Sequence, residues 1–225
     1  MTGILYIVAT PIGNLEDITK RALRVLNEVD FVIAEDTRRT VQLLTHYGIR
    51  KSLIAYFEHS KKNREAQILD QLHEGKNMAL VTDAGTPAIS DPGARLVASA
   101  HRHQIPVIPV PGPSAMAAAL SVAGLPTDPF HFWGFLPPTP GKREKIYQQM
   151  ATLKGSHCFY ESPHKIVKRV EEWREHFSGF QFFVGREMTK KFETYLAGTF
   201  EEIAEKIRSE IPRGEYTIVL SREQL

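Results

Sequence analysis

Met78-Ala79-Leu80-Val81-Thr82-Asp83-Ala84-Gly85-Thr86-Pro87 decides how the rest of the chain is read. Four apolar residues are too few for a helix and suit a buried strand, and the small polar residues, glycine and proline that follow break it at once. Working outward, the same pattern recurs three times. Leu5 to Val8 runs into Ala9-Thr10-Pro11-Ile12-Gly13-Asn14, Phe31 to Ala34 into Glu35-Asp36-Thr37-Arg38, and Val107 to Val110 into Pro111-Gly112-Pro113-Ser114. Helical spacing fills the gaps. A helix from near Ile18 places Ile18, Ala22, Val25 and Val29 on one face; another after Asp36 brings Val41 and Leu44 together and stops near Gly48. A third runs from Arg64 to Glu74 and ends at Gly75, and a fourth starts with Asp91 as cap and Pro92 in the first helical position, reaching about His103. Strands alternating with helices predict an α/β domain.

Pro111-Gly112-Pro113 is the expected domain junction, followed by a helix of small residues. Beyond it strands are expected at Phe130 to Phe135, Cys158 to Glu161, Gln181 to Val184, Phe192 to Ala197 and Tyr216 to Leu220, with a helix from Phe200 to Ser209. A helix at Pro163, capped by Ser162, buries Ile166, Val170, Trp173 and Phe177. The expected architecture is two α/β domains, 1–111 and 112–225, the second with a mixed sheet, meeting in a cleft of the kind that binds small ligands.

Composition narrows the class. With 42% apolar and 24% charged residues the chain suits a soluble globular enzyme. Its longest weakly polar stretch, Ser114 to Leu125, is too short and too alanine-rich to span a bilayer. Met1-Thr2-Gly3-Ile4-Leu5-Tyr6 has the look of a first strand and not of a secretory signal, and a single cysteine, Cys158, suits a reducing compartment and a core position; a cytoplasmic protein is expected. The net charge of +2 proves no nucleic-acid partner. Local clusters of cations do occur at Arg38-Arg39, Lys61-Lys62 with Arg64, Lys142-Arg143 with Lys145, Lys165 with Lys168-Arg169, and Lys190-Lys191. Any one of these is more readily a solvated helix face or loop. His101 and His103, two apart on a helix, do not face one metal ion, and no metal site is expected.

In a parallel sheet the four loaded strand ends lie along one edge, where ligands bind. One such end is often no more than a tight turn. Four on one rim point to a site. Glycine at Gly13 or Gly85 lets a ligand approach the backbone, and the amides near Ser114 can receive a carboxylate. The spaced glycines of a dinucleotide site, the GxxxxGK[ST] phosphate loop, the GxSxG elbow and the HExxH zinc pair are all absent.

Taken together, Ala9-Thr10-Pro11-Ile12-Gly13-Asn14-Leu15-Glu16-Asp17-Ile18, Glu35-Asp36-Thr37-Arg38, Asp83 to Gly93, Pro111-Gly112-Pro113-Ser114-Ala115, Phe135-Leu136-Pro137, Glu161-Ser162-Pro163-His164-Lys165 and Arg186-Glu187-Met188-Thr189-Lys190-Lys191 resemble the tetrapyrrole methylase superfamily, in its ribosomal RNA branch. The likeness covers nearly the whole chain in order. It implies S-adenosylmethionine held in the cleft between two α/β domains, a homodimer, and 2′-O-methylation of a cytidine in the decoding region of 16S ribosomal RNA of the small ribosomal subunit. By the same resemblance the cofactor contacts are Pro11 and Gly13, then Asp83, Ala84, Gly85, Thr86 and Ile89, then Ser114 and Ala115, with Leu136, Tyr160 and Thr217 from the second domain. Proteins of this family often continue into a small helical segment, whereas this chain ends at Leu225 just after its last expected strand.

A ribose hydroxyl is a poor nucleophile, and a positioned base helps by ~10²- to 10⁴-fold. Glu35, Asp36, Glu161 and Glu187 are the acidic candidates and Lys190 a neutral-amine base; Asp36, Glu187 and Lys190 are taken as catalytic, with Arg38 and Lys165 meeting RNA. The structural alternatives are a helix cap at Asp36 and, for Glu187, a salt bridge to Arg186 or Lys190. Three rival functions remain: a methyltransferase for a tetrapyrrole or other small acceptor, a non-catalytic RNA-binding assembly factor, and a metal-dependent nuclease using Asp36, Asp83 and Asp91.

Overall fold

The apolar runs of the first half become strands β1 (Leu5–Val8), β2 (Phe31–Ala34), β4 (Met78–Leu80) and β5 (Val107–Val110) in the computed structural model, which describes residues 1–57 and 62–223. An unexpected β3 (Ser52–Ala55) joins them. It pairs only with β2, at the sheet's edge, so a long apolar run is not needed there. The order is β3-β2-β4-β1-β5 and every pairing is parallel. By contacts the chain divides into two compact units, Met1–Ser114 and Ala115–Leu225.

In the first unit the strand alternation sends successive residues to opposite faces. Val32, Ala34, Ala79 and Val81 pack with α1 (Lys20–Glu28) and α2 (Thr37–His46), while Ile33, Met78 and Leu80 pack with α3 (Lys62–His73) and α4 (Ala94–Arg102). Helix α1 buries Ala22, Val25 and Leu26 and is capped by the Thr19 side chain, so Ile18 stands before the helix and not in it. In α2 the buried pair is Thr40 and Leu44; Val41 is half exposed, one position round the helix from where the spacing put it. Helix α4 starts at Ala94 with Gly93 as cap, correcting the expected Asp91-Pro92 start.

The second unit has a mixed sheet of order β6-β7-β10-β8-β9, from β6 (Phe130–Phe135), β7 (Ser156–Glu161), β8 (Gln181–Arg186), β9 (Thr194–Thr199) and β10 (Tyr216–Ser221). Strands β6 and β7 are parallel and the other pairs antiparallel. One face carries α6 (Pro140–Thr152), α7 (Pro163–Phe177) and α8 (Phe200–Ser209) around Phe159, Trp173, Phe177 and Ile218; the other carries α5 (Ala115–Val122) on Cys158, Phe183, Met188 and Val219. Ser162 caps α7, and Ile166, Val170, Trp173 and Phe177 are fully buried as their spacing predicts. Thr199 and Glu202 form a reciprocal capping box at the start of α8. Strand β9 begins at Thr194, leaving Phe192 outside it and exposed. Helix α6 is not legible in the sequence because a buried arginine, Arg143, interrupts its apolar face beside Tyr147 and Met150. Cys158 is buried, which pushes its thiol up to about 12, as suits an inert core residue.

Candidate active site

Because β1, β2, β4 and β5 are parallel, the loops that follow them leave the same edge of the first unit's sheet, and hydrogen bonds fasten them together. Thr10 and Gly85 exchange both backbone bonds (Thr10 N to Gly85 O 2.9 Å, Gly85 N to Thr10 O 3.0 Å), and the Thr10 hydroxyl donates to Thr82 O at 3.0 Å. The Thr86 hydroxyl donates to Pro113 O at 3.1 Å, and the Asp36 amide to Asp83 Oδ1 at 3.2 Å. Arg39 pairs with Asp83 at 3.2 Å. First, second, third and fourth loops thus form one connected rim containing Pro11, Gly13, Asp36, Arg38, Asp83, Ala84, Gly85, Thr86, Ile89 and Ser114. Gly85 has φ +87°, and a Cβ there would stand 3.4 Å from Ile12 Cγ2 and 3.8 Å from Pro113 O, filling the gap between three of these loops. Gly13, Ala84 and Ile89 are exposed. Small residues and an exposed apolar side chain on a hydrogen-bonded frame fit an adenosyl ligand with an amino-acid tail.

The rim is acidic. Asp36 caps α2: its Oδ1 accepts from Arg38 N at 2.9 Å, and the Arg38 guanidinium closes on both carboxylate oxygens at 3.2 and 3.0 Å. Those bonds hold the Asp36 carboxyl below the usual range, so it is ionised and weakly basic. Asp91, expected to cap α4, turns to the rim. Burial, offset in part by a hydrogen bond from Thr82 and reinforced by Glu35 and Asp83, pushes its carboxyl up to about 6. Read from the sequence it is only a cap and a ligand of the rival nuclease, because Glu35, which joins Thr82, Asp83 and Asp91 of the loop after β4, comes from the separate loop after β2. Among the described residues no cluster of three or more histidine, cysteine, aspartate or glutamate side chains is arranged to hold a metal ion. His101 and His103 are exposed at the end of α4.

The second unit gathers its candidates on one sheet edge as well. Tyr160 lies opposite Phe135 and Thr217, and Tyr216 opposite Glu161 and Arg186, so Leu136, Tyr160, Glu161, Thr217 and the Arg186–Lys191 turn all stand at the carboxyl ends of β6, β7 and β8 or the start of β10. Tyr160 packs edge-on to Phe132 and Phe135. Leu136 and Thr217 are buried; Lys165 is exposed in the first turn of α7. Glu187 (φ +50°) is held by Lys190 Nζ at 2.8 Å and by the Glu215 amide at 2.9 Å, over Gly214, where any Cβ would collide with its Cγ. Burial opposes the charge on Lys190, but Glu187 and Glu215 outweigh it and raise its pKa. Lys190 is therefore an ammonium, not the neutral amine expected of a base. Lys61 and the side chain of Lys62 lie outside the described residues.

The family of tetrapyrrole (corrin/porphyrin) methylases matches residues 4–204. Ribosomal RNA small subunit methyltransferase I of Thermotoga maritima is 43% identical over 222 residues, covering 99% of this chain and all of the relative. The enzyme of the same name from Halalkalibacterium halodurans is 44% identical over 218 residues, 97% of this chain and 75% of the relative. Among solved structures, diphthine synthase superposes with a TM-score of 0.75 at 13% identity, covering 99% of this chain and 92% of that one. Uroporphyrin-III C-methyltransferase of Thermus thermophilus, complexed with S-adenosyl homocysteine, superposes with a TM-score of 0.66 at 18% identity over 97% of each chain. The structural likenesses establish the fold, and the sequence matches establish that the chain belongs to the ribosomal RNA small subunit methyltransferase I family of S-adenosylmethionine-dependent tetrapyrrole methylases.

Proposed function

We propose that the protein methylates the 2′-hydroxyl of a cytidine in the decoding region of 16S ribosomal RNA within the small ribosomal subunit, acting in the cytoplasm as a homodimer. The observation that carries this reading is the 43% identity over the full length of a relative named for the small-subunit RNA. No helix among the described residues is long and apolar enough to cross a membrane, in keeping with a ribosomal substrate.

The rim residues Pro11, Gly13, Asp83, Ala84, Gly85, Thr86, Ile89 and Ser114, together with Ala115, Leu136, Tyr160 and Thr217, hold the cofactor. When bound, S-adenosylmethionine supplies an electrophilic methyl group on a sulfonium. The chain's task is to set the ribose hydroxyl in line with it and exclude water, since orientation supplies much of the rate in a displacement of this kind. Asp36, fixed by its cap bond and by Arg38, orients the hydroxyl through an accepted hydrogen bond. Arg38 extends to a phosphate on its exposed side. Glu187 holds Lys190, whose ammonium donates to an RNA oxygen.

Asp36→Ala abolishes methyl transfer while S-adenosylmethionine affinity, measured by calorimetry, stays within a few-fold; equal loss of both removes Asp36 from the catalytic step. The acceptor class is tested by offering labelled cofactor with undermethylated small subunits or with a uroporphyrin-type tetrapyrrole. Label entering only the tetrapyrrole overturns the proposal.

A further inference from the structure

The structure splits two basic clusters of the second unit by residue type. Arg143 and Arg169 turn inward. Arg143 is 1% exposed. It grips Glu172 through Nε at 2.9 Å and Nη2 at 2.8 Å, and its Nη1 donates to the carbonyls of Pro137 at 2.9 Å and Pro138 at 2.6 Å. Arg169, 4% exposed, donates to Glu161 at 3.0 Å and Glu172 at 2.9 Å. Tyr147 adds its hydroxyl to Glu172 at 3.2 Å, and Glu144 is paired with His176 at 3.0 Å. The carboxylates of this region are thereby taken. Lys142, Lys145, Lys165 and Lys168, from the same two clusters, are exposed and have no ion-pair partner among the described residues.

The four stand on two neighbouring helices of the second unit. Strands β6 and β7 are adjacent and parallel, so α6 and α7, which follow them, start from the same sheet edge. All four lysines fall in the first two turns of those helices. The Arg143–Glu172–Arg169–Glu161 chain, part-exposed at Glu172, ties the first turn of α6 to the third turn of α7 and to the end of β7. Four unpaired ammonium groups on a fixed base match the repeated charge of a phosphate backbone, and lysine, a point charge on a flexible stem, positions such a backbone without reading its sequence.

We propose that Lys142, Lys145, Lys165 and Lys168 form a phosphate-contacting face that docks the ribosomal RNA backbone. This rests on the reading of RNA as the methyl acceptor and extends it to a surface. Each phosphate neutralised releases counterions, so log affinity falls with log salt by about 0.7 to 0.9 per contact.

The test compares the full chain with a variant carrying Lys142→Gln, Lys145→Gln, Lys165→Gln and Lys168→Gln, using an unmodified small-subunit RNA transcript over a series of potassium chloride concentrations. The variant's salt slope falls by about 3, in line with about 0.7 to 0.9 of slope per lysine, and its affinity drops at least about tenfold at 100 mM salt. Its melting temperature and S-adenosylmethionine affinity stay those of the wild type, and the matching Lys→Arg variant recovers RNA binding. In turnover with small subunits the loss falls in KM. An unchanged slope and affinity in the glutamine variant overturn this face, while methyl transfer to RNA by the wild type leaves the wider reading standing. A wild type that neither binds nor methylates RNA overturns both.

Discussion

Asp91 shows how the rim's electrostatics bear on stability. Its folded-state pKa of about 6 lies above the ordinary 3.8, so between those values the folded chain holds a proton that the unfolded chain has released. Stability from this group is therefore present at low pH, falls as pH rises from about 4 to 6, and is flat above that. Asp91→Asn should remove this slope and leave the protein more stable at pH 7 by about 1–2 kcal/mol, allowing for screening of a part-buried group. Urea unfolding at pH 4, 5, 6 and 7 checks it, and parallel curves for the two proteins would be the contrary result. At Gly85 a valine meets both a positive φ and the gap beside Ile12. The backbone strain alone costs about 1–2 kcal/mol. Gly85→Val should lose S-adenosylmethionine binding by calorimetry, and a folded Gly85→Val protein with normal affinity refutes the assignment. The loop motifs made Gly85 and its neighbours legible in the sequence. The acidic cluster around Asp91 was not, because Glu35 joins Thr82, Asp83 and Asp91 only once β2 is known to pair with β4.

Among the elements, strands β1, β2, β5 and β6 and helix α8 have the bounds their apolar runs and caps imply. Periodicity is informative wherever water lies on one side and a core on the other. It fails at β3, an edge strand of intermediate burial, and at α6, whose inward face is built on Arg143. A buried arginine breaks the apolar pattern and is tolerated only because Glu172 and two carbonyls satisfy it. Glu172→Gln leaves Arg143 and Arg169 short of a counter-charge. Loss of one partner of a buried pair costs about 3–5 kcal/mol, and the part-exposed Glu172 belongs at the lower end of that range. Chemical denaturation should show the destabilisation; a variant within 1 kcal/mol of wild type would mean that solvent screens the network.

For the whole molecule, the motifs legible in the sequence fall on two sheet edges, one in each unit. Parallel pairing gathers the first set, and in the second unit the antiparallel β10 brings its start to the carboxyl ends of β7 and β8. Neither grouping follows from the linear order of the motifs. The assembly state is open to a direct check: sedimentation equilibrium of the full chain should give twice the 25.4 kDa monomer mass, and a monomer at micromolar concentration would contradict the proposed homodimer. The acceptor atom is the central claim. Small ribosomal subunits lacking the modification, incubated with the purified chain and labelled S-adenosylmethionine, should carry the label on the 2′-oxygen of one decoding-region cytidine once the RNA is digested and its nucleosides separated. Label on a base, on a nucleotide outside the decoding region, or on no RNA at all while the cofactor still binds would contradict it.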